Sequence, residues 1–343
     1  MSKVCYVALS GGVDSAAAAL VLKKQGYEVR GVTLRLKPDN SADKDIADAK
    51  AVADCLGISF TVLDRREEFK RITDYFCNEY LKGRTPNPCV VCNPTIKFGE
   101  LVKYAKENGA EFLATGHYAD ILKDENGIFY IKKAPSRKDQ SYFLCKLNQE
   151  ILSFVRFPLS AYTKEEVREL AQQAGLNVAE KKDSQEVCFI PDDDYISFIE
   201  KEKSPKENFG SFISSDGDIL GEHKGIYKYT IGQRKGLGAF GKPMYVLKLD
   251  AINNTVTVGD NNELFKEEIV CEDVSFVSGT IPEGTLFCDV KIRCAAKPAP
   301  ATLTMVKPSS CVIKFSEPQR AAAAGQTAAI YNGDILLGGG TII

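Results

Sequence analysis

The sequence predicts an α/β protein: a doubly wound parallel sheet followed by a β-rich second half. Three observations lead there. Apolar strands alternate with helical patterns from the start of the chain, a glycine-bearing loop joins the first strand to the first helix, and long helical patterns vanish from about Gly210. Lys3 to Leu9 reads as a strand, Ser10 to Asp14 as a loop, and Ser15 to Gln25 as an alanine-rich helix stopped by Gly26. Glu28 to Leu36 is the next strand, Ala42 to Leu56 a helix with Gly57 behind it, and Ser59 to Asp64 a third strand. Glu111 to Gly116 reads as a later strand of the same sheet. Thr163 to Ala174 is a helix opened by a Thr163/Glu166 capping box and closed by Gly175. Beyond Gly210, alternating segments such as Pro243 to Lys248 and Thr255 to Val258 fit two β pieces. Their join falls near Leu264 to Glu268, after the turn residues Asp260, Asn261 and Asn262.

Composition narrows the function. A chain of 343 residues, 44% hydrophobic and 26% charged, buries a real core and is expected to hold two or three domains. Lys and Arg number 44 against 46 Asp and Glu, so a formal charge of -2 excludes nucleic-acid coating by bulk positive charge while allowing a local basic face. The start, MSKVCYVALSGG, runs directly into a strand and loop without a signal region, so a cytoplasmic protein is expected. No stretch approaches the ~20 apolar residues of a membrane helix. Eleven cysteines in a reducing compartment are mostly free thiols and not a disulfide framework.

The loop Ser10-Gly11-Gly12-Val13-Asp14-Ser15 lies where ligands gather in such sheets, at the carboxyl end of a strand. Two glycines let the backbone come close to an anion, and the following helix offers unpaired N–H groups and a positive dipole end. Ser10 and Ser15 add hydroxyls, and Asp14 is a candidate helix cap or Mg²⁺ ligand. The Walker lysine is missing and the glycine spacing is not a dinucleotide fingerprint. Instead the loop resembles the SGG-x-D-[ST] signature of the PP-loop ATP pyrophosphatases, which cleave ATP to AMP and pyrophosphate while adenylating a substrate. An ordinary tight strand-to-helix turn is the alternative.

In Gly83-Arg84-Thr85-Pro86-Asn87-Pro88-Cys89-Val90-Val91-Cys92-Asn93, two prolines fix an extended approach to a Cys-x-x-Cys pair, and Ile96-Lys97-Phe98-Gly99 starts a helix. A third cysteine lies far downstream in Lys182-Asp183-Ser184-Gln185-Glu186-Val187-Cys188-Phe189-Ile190-Pro191. The pair alone is compatible with redox, zinc or iron–sulfur roles. Zinc is disfavoured, because there is no second Cys-x-x-Cys and only two histidines, His117 and His223.

Taken in order, these motifs with ATGHYA (Ala114 to Ala119), KDQSYFL (Lys138 to Leu144), YTIGQRKGLG (Tyr229 to Gly238) and EPQRAAAAGQTAAIYNGDILLGGG (Glu317 to Gly340) resemble one family. It is the tRNA-specific 2-thiouridylases (MnmA/TrmU) of the PP-loop superfamily, and the match covers nearly the whole chain. The resemblance implies ATP-dependent replacement of the wobble-uridine O2 by sulfur. It implies a PP-loop (adenine nucleotide alpha hydrolase-like) catalytic domain over 1–200, a small central tRNA-binding domain over 201–265 and a C-terminal β-barrel over 266–343. By position, Ala8, Leu9, Ser10, Gly11, Gly12, Val13, Asp14 and Ser15 would hold the ATP phosphates, with Leu34 and Gly116 beside the adenosine. Cys188 would carry a persulfide from a donor protein, a cysteine desulfurase or sulfur carrier, and Cys92 would be the nucleophile that frees that sulfur or closes a disulfide with Cys188. Asn87, Pro88 and Cys89 would meet the flipped uracil, and His117, Lys138, Asp139, Gln140, Arg293, Cys294 and Gln326 would fall at tRNA-contacting positions. Some relatives carry Asp at the position of Cys89, which leaves a rival reading open: Cys89, Cys92 and Cys188 ligating a [4Fe-4S] cluster whose fourth iron binds hydrosulfide. Another PP-loop adenylating ligase is the remaining enzymatic alternative.

Local charge fits an RNA partner. Residues 82–106 and 222–242 each carry five Lys or Arg and one Glu, and 289–320 carry six basic and two acidic side chains. At Cys294 relatives often have Tyr, so a stacking contact is lost here. The cysteines Cys5, Cys55, Cys77, Cys145, Cys271, Cys288, Cys294 and Cys311 sit in apolar contexts and read as small buried hydrophobes.

Overall fold

A computed structural model describes residues 3–37, 41–136, 138–181 and 187–343. The Lys182 to Glu186 part of the Cys188 motif lies outside the described residues. The chain runs β1 (Val4–Ala8), α1 (Val13–Lys24), β2 (Glu28–Arg35), α2 (Ser41–Leu56), β3 (Ser59–Asp64), α3 (Arg66–Leu81) and α4 (Pro88–Cys92). A π-helix over Asn93–Glu100 leads directly into α5 (Leu101–Glu107). Then follow β4 (Phe112–Ala114), the hairpin β5 (Ala119–Lys123) and β6 (Phe129–Lys133), α6 (Gln149–Phe154), β7 (Val155–Arg156), α7 (Lys164–Gln173) and α8 (Tyr195–Lys203). Strands β1, β2, β3, β4 and β7 form one parallel sheet in the order β3-β2-β1-β4-β7. The order reverses between β1 and β4, which opens a crevice at their carboxyl ends.

Helix α1 explains why the early sequence is alanine-rich. It is buried along most of its length, Ala16 to Ala19 fully, between the sheet and α7, and only small side chains allow that approach. It begins at Val13, two residues before the sequence pattern suggests, because Gly12 takes the extended N-cap conformation. The capping box of α7 forms as expected, Thr163 Oγ1 accepting from the Glu166 N–H and Glu166 accepting from the Thr163 N–H.

The second half builds two β units. Strands β8 (Gly210–Ile213), β9 (Ile219–His223), β10 (Tyr245–Asp250) and β11 (Thr255–Gly259) form a sheet in the order β10-β11-β8-β9 around Phe212, Val246, Val256 and Val258. Strands β12 (Phe265–Phe276), β13 (Thr285–Lys291), β14 (Ala299–Lys307), β15 (Ser310–Arg320), β16 (Thr327–Asn332) and β17 (Ile335–Ile342) run in the order β12-β15-β14-β13-β16-β17. Pairing of β12 with β17, Cys271 opposite Ile342, closes them into a barrel and leaves no free edge.

The β5–β6 hairpin escaped the sequence reading. It belongs in sequence to the α/β part, yet β6 pairs with β17 of the barrel through Lys132 to Ile335 and Ile131 to Leu336. A continuous core follows: Ile131, Tyr142 and Leu144 pack with Leu336 and Tyr331 of the barrel and with Phe98 and Leu101 beneath the cysteine helix. Two of the eight cysteines read as buried hydrophobes, Cys55 and Cys294, are exposed; among the others, Cys5, Cys77, Cys145, Cys271 and Cys311 are fully buried. No helix of the described residues is long and apolar enough to cross a membrane. Replacing the fully buried Ile131 by Ala is expected to lower stability by about 2–5 kcal/mol; a urea midpoint equal to wild type would show that the hairpin adds nothing to the shared core.

Candidate active site

The loop after β1 is shaped by backbone contacts. Gly11 has φ +71°, and a Cβ there would lie 2.4 Å from the Asp45 carbonyl oxygen, so only glycine fits. Its own carbonyl accepts from Lys181 Nζ at 3.0 Å, and Lys181 also bridges to Asp45 and Asp48 of α2. No side chain caps α1 at Gly12, so the first N–H groups of the helix face the crevice without a capping acceptor. Ser15 is turned inward: its Oγ donates to the Gly12 carbonyl at 3.0 Å and accepts from the Ser10 N–H at 3.1 Å. It braces the loop, while Ser10 keeps an exposed face.

Asp14 is neither the helix cap nor a disengaged carboxylate. Tyr118 Oη donates to it at 2.7 Å, and the buried Lys164 ammonium at the start of α7 contacts both its oxygens, at 2.7 and 2.9 Å. A magnesium site built on Asp14 would have to displace that cation, so the donor set does not fit one and no step is assigned to the metal. Gly116, at the end of β4, meets the same turn from the other side: a Cβ on it would stand 2.6 Å from the Asp14 carbonyl carbon and 2.7 Å from the Ser15 nitrogen. Leu34, at the end of β2, is half-buried beside both apolar clusters that flank the crevice.

The cysteine segment is a helix earlier than its sequence suggests. Asn87 is the N-cap of α4, its Oδ1 accepting from the Val90 N–H at 3.4 Å, and Pro88 occupies the first turn, where its missing N–H costs nothing. Cys89 and Cys92, three apart on one helical turn, therefore share a face. Cys188 reaches them from the far part of the chain. Its neighbours Phe189 and Ile190 pack in one apolar cluster with Cys92, Ile96, Phe69 and Phe76, with Phe189 edge-on to Phe76 at 5.3 Å between ring centres. Burial is the main reason these thiols are hard to ionise. It pushes Cys89 up to about 11 and Cys92 up to about 12, and it raises Cys188 even though that side chain keeps an open face to solvent. Cys188 adds to the rise at Cys89 and Cys92, Cys89 adds to it at Cys92, and Lys97 opposes the rise at all three.

Among the described residues no group of three or more His, Cys, Asp and Glu is gathered to hold a metal ion. Cys89, Cys92 and Cys188 supply the right donor atoms for a [4Fe-4S] cluster but are not gathered closely enough here to hold one.

Comparison with known proteins follows the same division of the chain. A tRNA methyl transferase HUP domain family matches residues 3–192, a tRNA methyl transferase PRC-barrel domain 196–260, and an aminomethyltransferase beta-barrel domain 266–342. The tRNA-specific 2-thiouridylase MnmA of Clostridioides difficile (strain 630) is 46% identical, covering 100% of this chain and 98% of that protein. This chain belongs to the tRNA-specific 2-thiouridylase family. The like-named enzyme of Acetivibrio thermocellus is 44% identical over 99% of both chains. Among solved structures, the U34-tRNA thiolase NcsA from Methanococcus maripaludis with its [4Fe-4S] cluster is similar at TM-score 0.39 and 18% identity over 58% of this chain and 64% of that one, too slight a likeness to carry an inference.

Several positions expected to touch tRNA in a 2-thiouridylase have structural partners here. His117 accepts or donates through Nδ1 at 2.7 Å from Thr115 Oγ1, and its ring lies between Phe98 and Phe157. Burial, helped by Lys97, holds its pKa well below 6.5, so it is a neutral imidazole at physiological pH and not a phosphate-binding cation. Asp139 accepts from the Ala134 and Ser141 N–H groups, and Gln140 accepts from the Tyr118 N–H at 3.0 Å. Lys138 is exposed. Arg293 donates to the carbonyls of Ile231 and Ala321, joining the central unit to the barrel. Gln326 donates to the Thr85 carbonyl at 3.0 Å, while the Thr85 N–H donates to Ala324 at 2.7 Å, so the barrel grips the approach to the cysteine pair. Cys294, from the barrel, stands close enough to raise the Cys89 pKa. Tyr118, Lys164 and Lys97 went unnoticed as site residues in the sequence, because only the fold brings them to the loop and the thiols.

The His117 environment has a pH consequence. A histidine whose folded pKa is depressed stabilises the fold fully above its unfolded value, and the contribution is lost as pH falls below about 6.5. His223 is depressed by burial too, so the effect is shared. His117→Asn is expected to flatten part of the decline in urea midpoint between neutral pH and pH ~5; a slope identical to wild type would contradict a neutral His117.

Proposed function

We propose that the chain performs ATP-dependent 2-thiolation of the wobble uridine of tRNA, through an adenylated base and a cysteine persulfide. The observation that carries this reading is the approach of the Cys188 segment to the Cys89–Cys92 turn, Phe189 and Ile190 sharing one apolar cluster with Cys92, in a chain whose relatives are named tRNA-specific 2-thiouridylases over their full length. The loop Ala8 to Ser15 holds the phosphates of ATP against uncapped helix N–H groups, with Leu34 and Gly116 beside the adenosine. Uracil O2 attacks the α-phosphorus and pyrophosphate leaves, which converts a poor leaving group into AMP. The base reaches this point by leaving the anticodon stack, and Asn87, Pro88 and Cys89 line its path.

Sulfur arrives from a donor protein, a cysteine desulfurase or a sulfur carrier, as the outer sulfur of a persulfide on Cys188. The exposure of Cys188 suits a group that a second protein must reach. Cys92, as thiolate, attacks the inner sulfur: Cys92–S⁻ and Cys188–S–SH give the Cys92–Cys188 disulfide and HS⁻. Hydrosulfide attacks C2 of the adenylated uracil, AMP departs with its electron pair, and the hydrosulfide proton goes to solvent. An external dithiol then reduces the disulfide for the next turnover. The high thiol pKa values suit this sequence, since a resting pair that stays protonated does not oxidise or bind stray electrophiles. The basic stretches 82–106, 222–242 and 289–320 supply phosphate contacts for tRNA, and the reaction belongs to the cytoplasm.

Nucleoside mass analysis of tRNA incubated with the protein, ATP, dithiol and a persulfide donor is expected to show 2-thiouridine and stoichiometric AMP. Cys92→Ser and Cys188→Ser should each abolish 2-thiouridine, a loss of at least about 10³-fold for a removed nucleophile. Absence of 2-thiouridine from wild type with every donor would sink the reading.

A further inference from the structure

The Lys181 ammonium, which has no part in the reaction above, is engaged on all three of its donors. It donates to the Gly11 carbonyl at 3.0 Å, to Asp45 Oδ1 at 3.0 Å and to Asp48 Oδ2 at 2.7 Å. An isolated surface ion pair contributes little, but here acceptors on two separate segments use up the three N–H bonds and leave the cation one orientation. Burial works against its charge, yet the bonds to Asp48 and Asp45 hold its pKa above the usual lysine value, so it is an ammonium at neutral pH. Asp45 grips the loop twice, through Lys181 and through its own carbonyl oxygen, which fills the place of a Gly11 Cβ. The Gly11–Gly12 peptide is trans and planar, so the Gly11 C=O and the Gly12 N–H point in opposite directions. A cation fixed on the carbonyl therefore aims that N–H away from α2 and, by polarising the peptide, makes it a stronger donor. Gly12 is the N-cap of α1, so this N–H stands directly ahead of the uncapped helix N–H groups.

We propose that Lys181 is the positioning residue of the phosphate loop: by holding the Gly11 carbonyl it turns the Gly12 N–H towards the triphosphate of ATP. This rests on the ATP step of the reading above and deepens it. Anion binding at a helix N-terminus works through several backbone N–H groups converging on one group of oxygens. A peptide between two glycines is hinged on the two least restricted dihedrals of the loop, ψ of Gly11 and φ of Gly12, and is the one most free to turn out of that set. Neither glycine has a side chain to stop the rotation, so the restraint has to come from another segment, and Lys181 supplies it. Asp45 and Asp48 keep the ammonium on the α2 side of the loop, while Gly116 presses on the following turn from the end of β4. Lys181 thus acts on the anion through the peptide and not by touching it.

The test uses the full-length chain and needs neither tRNA nor a sulfur donor. Affinities for ATP and for adenosine are measured by titration calorimetry at fixed ionic strength in wild type, Lys181→Met, Lys181→Arg and Lys44→Met. Lys181→Met is expected to weaken ATP about tenfold or more, the loss of one hydrogen bond to a charged group, while adenosine stays within about twofold. Lys181 borders a cavity of about 500 Å³ lined also by Lys44, Asp48, Val52, Cys55 and Leu176, which leaves room for a guanidinium, so the Arg variant should return towards wild type. Lys44→Met removes the same charge from the same cavity without touching the loop, and ATP should stay within about twofold. A Lys181→Met protein that binds ATP as wild type does, or that loses adenosine as much as ATP, overturns the assignment. An equal loss in Lys44→Met also overturns it, because the effect is then one of net charge. If Lys181→Met lacks a cooperative urea transition, Lys181→Ala is read by the same comparison. Failure of wild type itself to bind ATP overturns the assignment together with the ATP step, whereas intact ATP binding without 2-thiouridine removes the thiolation reading alone.

Discussion

Backbone packed on backbone at the crevice between β1 and β4 governs the arrangement of the site. Gly116 presses against the Asp14–Ser15 peptide with no room for a side chain, and Gly11 presses against the Asp45 carbonyl in the same way. These contacts fix the first turn of α1, and with it the uncapped N–H groups that any anion in the crevice would meet. They also fix what surrounds the turn. Tyr118, two residues beyond Gly116, reaches back to Asp14, and Lys164 completes the carboxylate's shell from α7. A larger residue at position 116 would part the strand from the helix, and the contacts to Asp14 would open with them.

The thiols depend on a second balance, between burial and charge. Desolvation is the largest effect on Cys89, Cys92 and Cys188, and all three are pushed upward by it. Lys97 is the cation that opposes this rise at all three. The π-helix after the cysteine turn has an α-helix on either side, so the cost of irregular hydrogen bonding is confined to one segment.

The barrel is more than an appended module. It grips Thr85 through Ala324 and Gln326, annexes the β5–β6 hairpin, and shares a core with the cysteine helix. Side chains that sequence resemblance places at a tRNA surface, Gln326 and Arg293 among them, are also the fasteners between units. Arg293, one of the basic residues of 289–320, is thereby spent on joining two units.

The sequence by itself determined the local elements whose signals are short-range. The capping box at Thr163, the glycine loop after β1, the alternation of β1 to β3 with α1 and α2, and the existence of two β units all follow from spacing and turn chemistry within a few residues. What it left undetermined was long-range or sterically specific. The β5–β6 hairpin reads as part of the α/β unit until its partner β17, far along the chain, claims it by edge pairing. Asp14 looks like a cap until Tyr118 and Lys164 arrive from other elements to occupy it. The segment after Cys92 looks like the start of a regular helix until the structure shows a π-helix over Asn93–Glu100. Periodicity reports which face a residue shares with its near neighbours in a regular helix; only the packed structure decides where the helix departs from regularity and which distant groups fill the space that it opens.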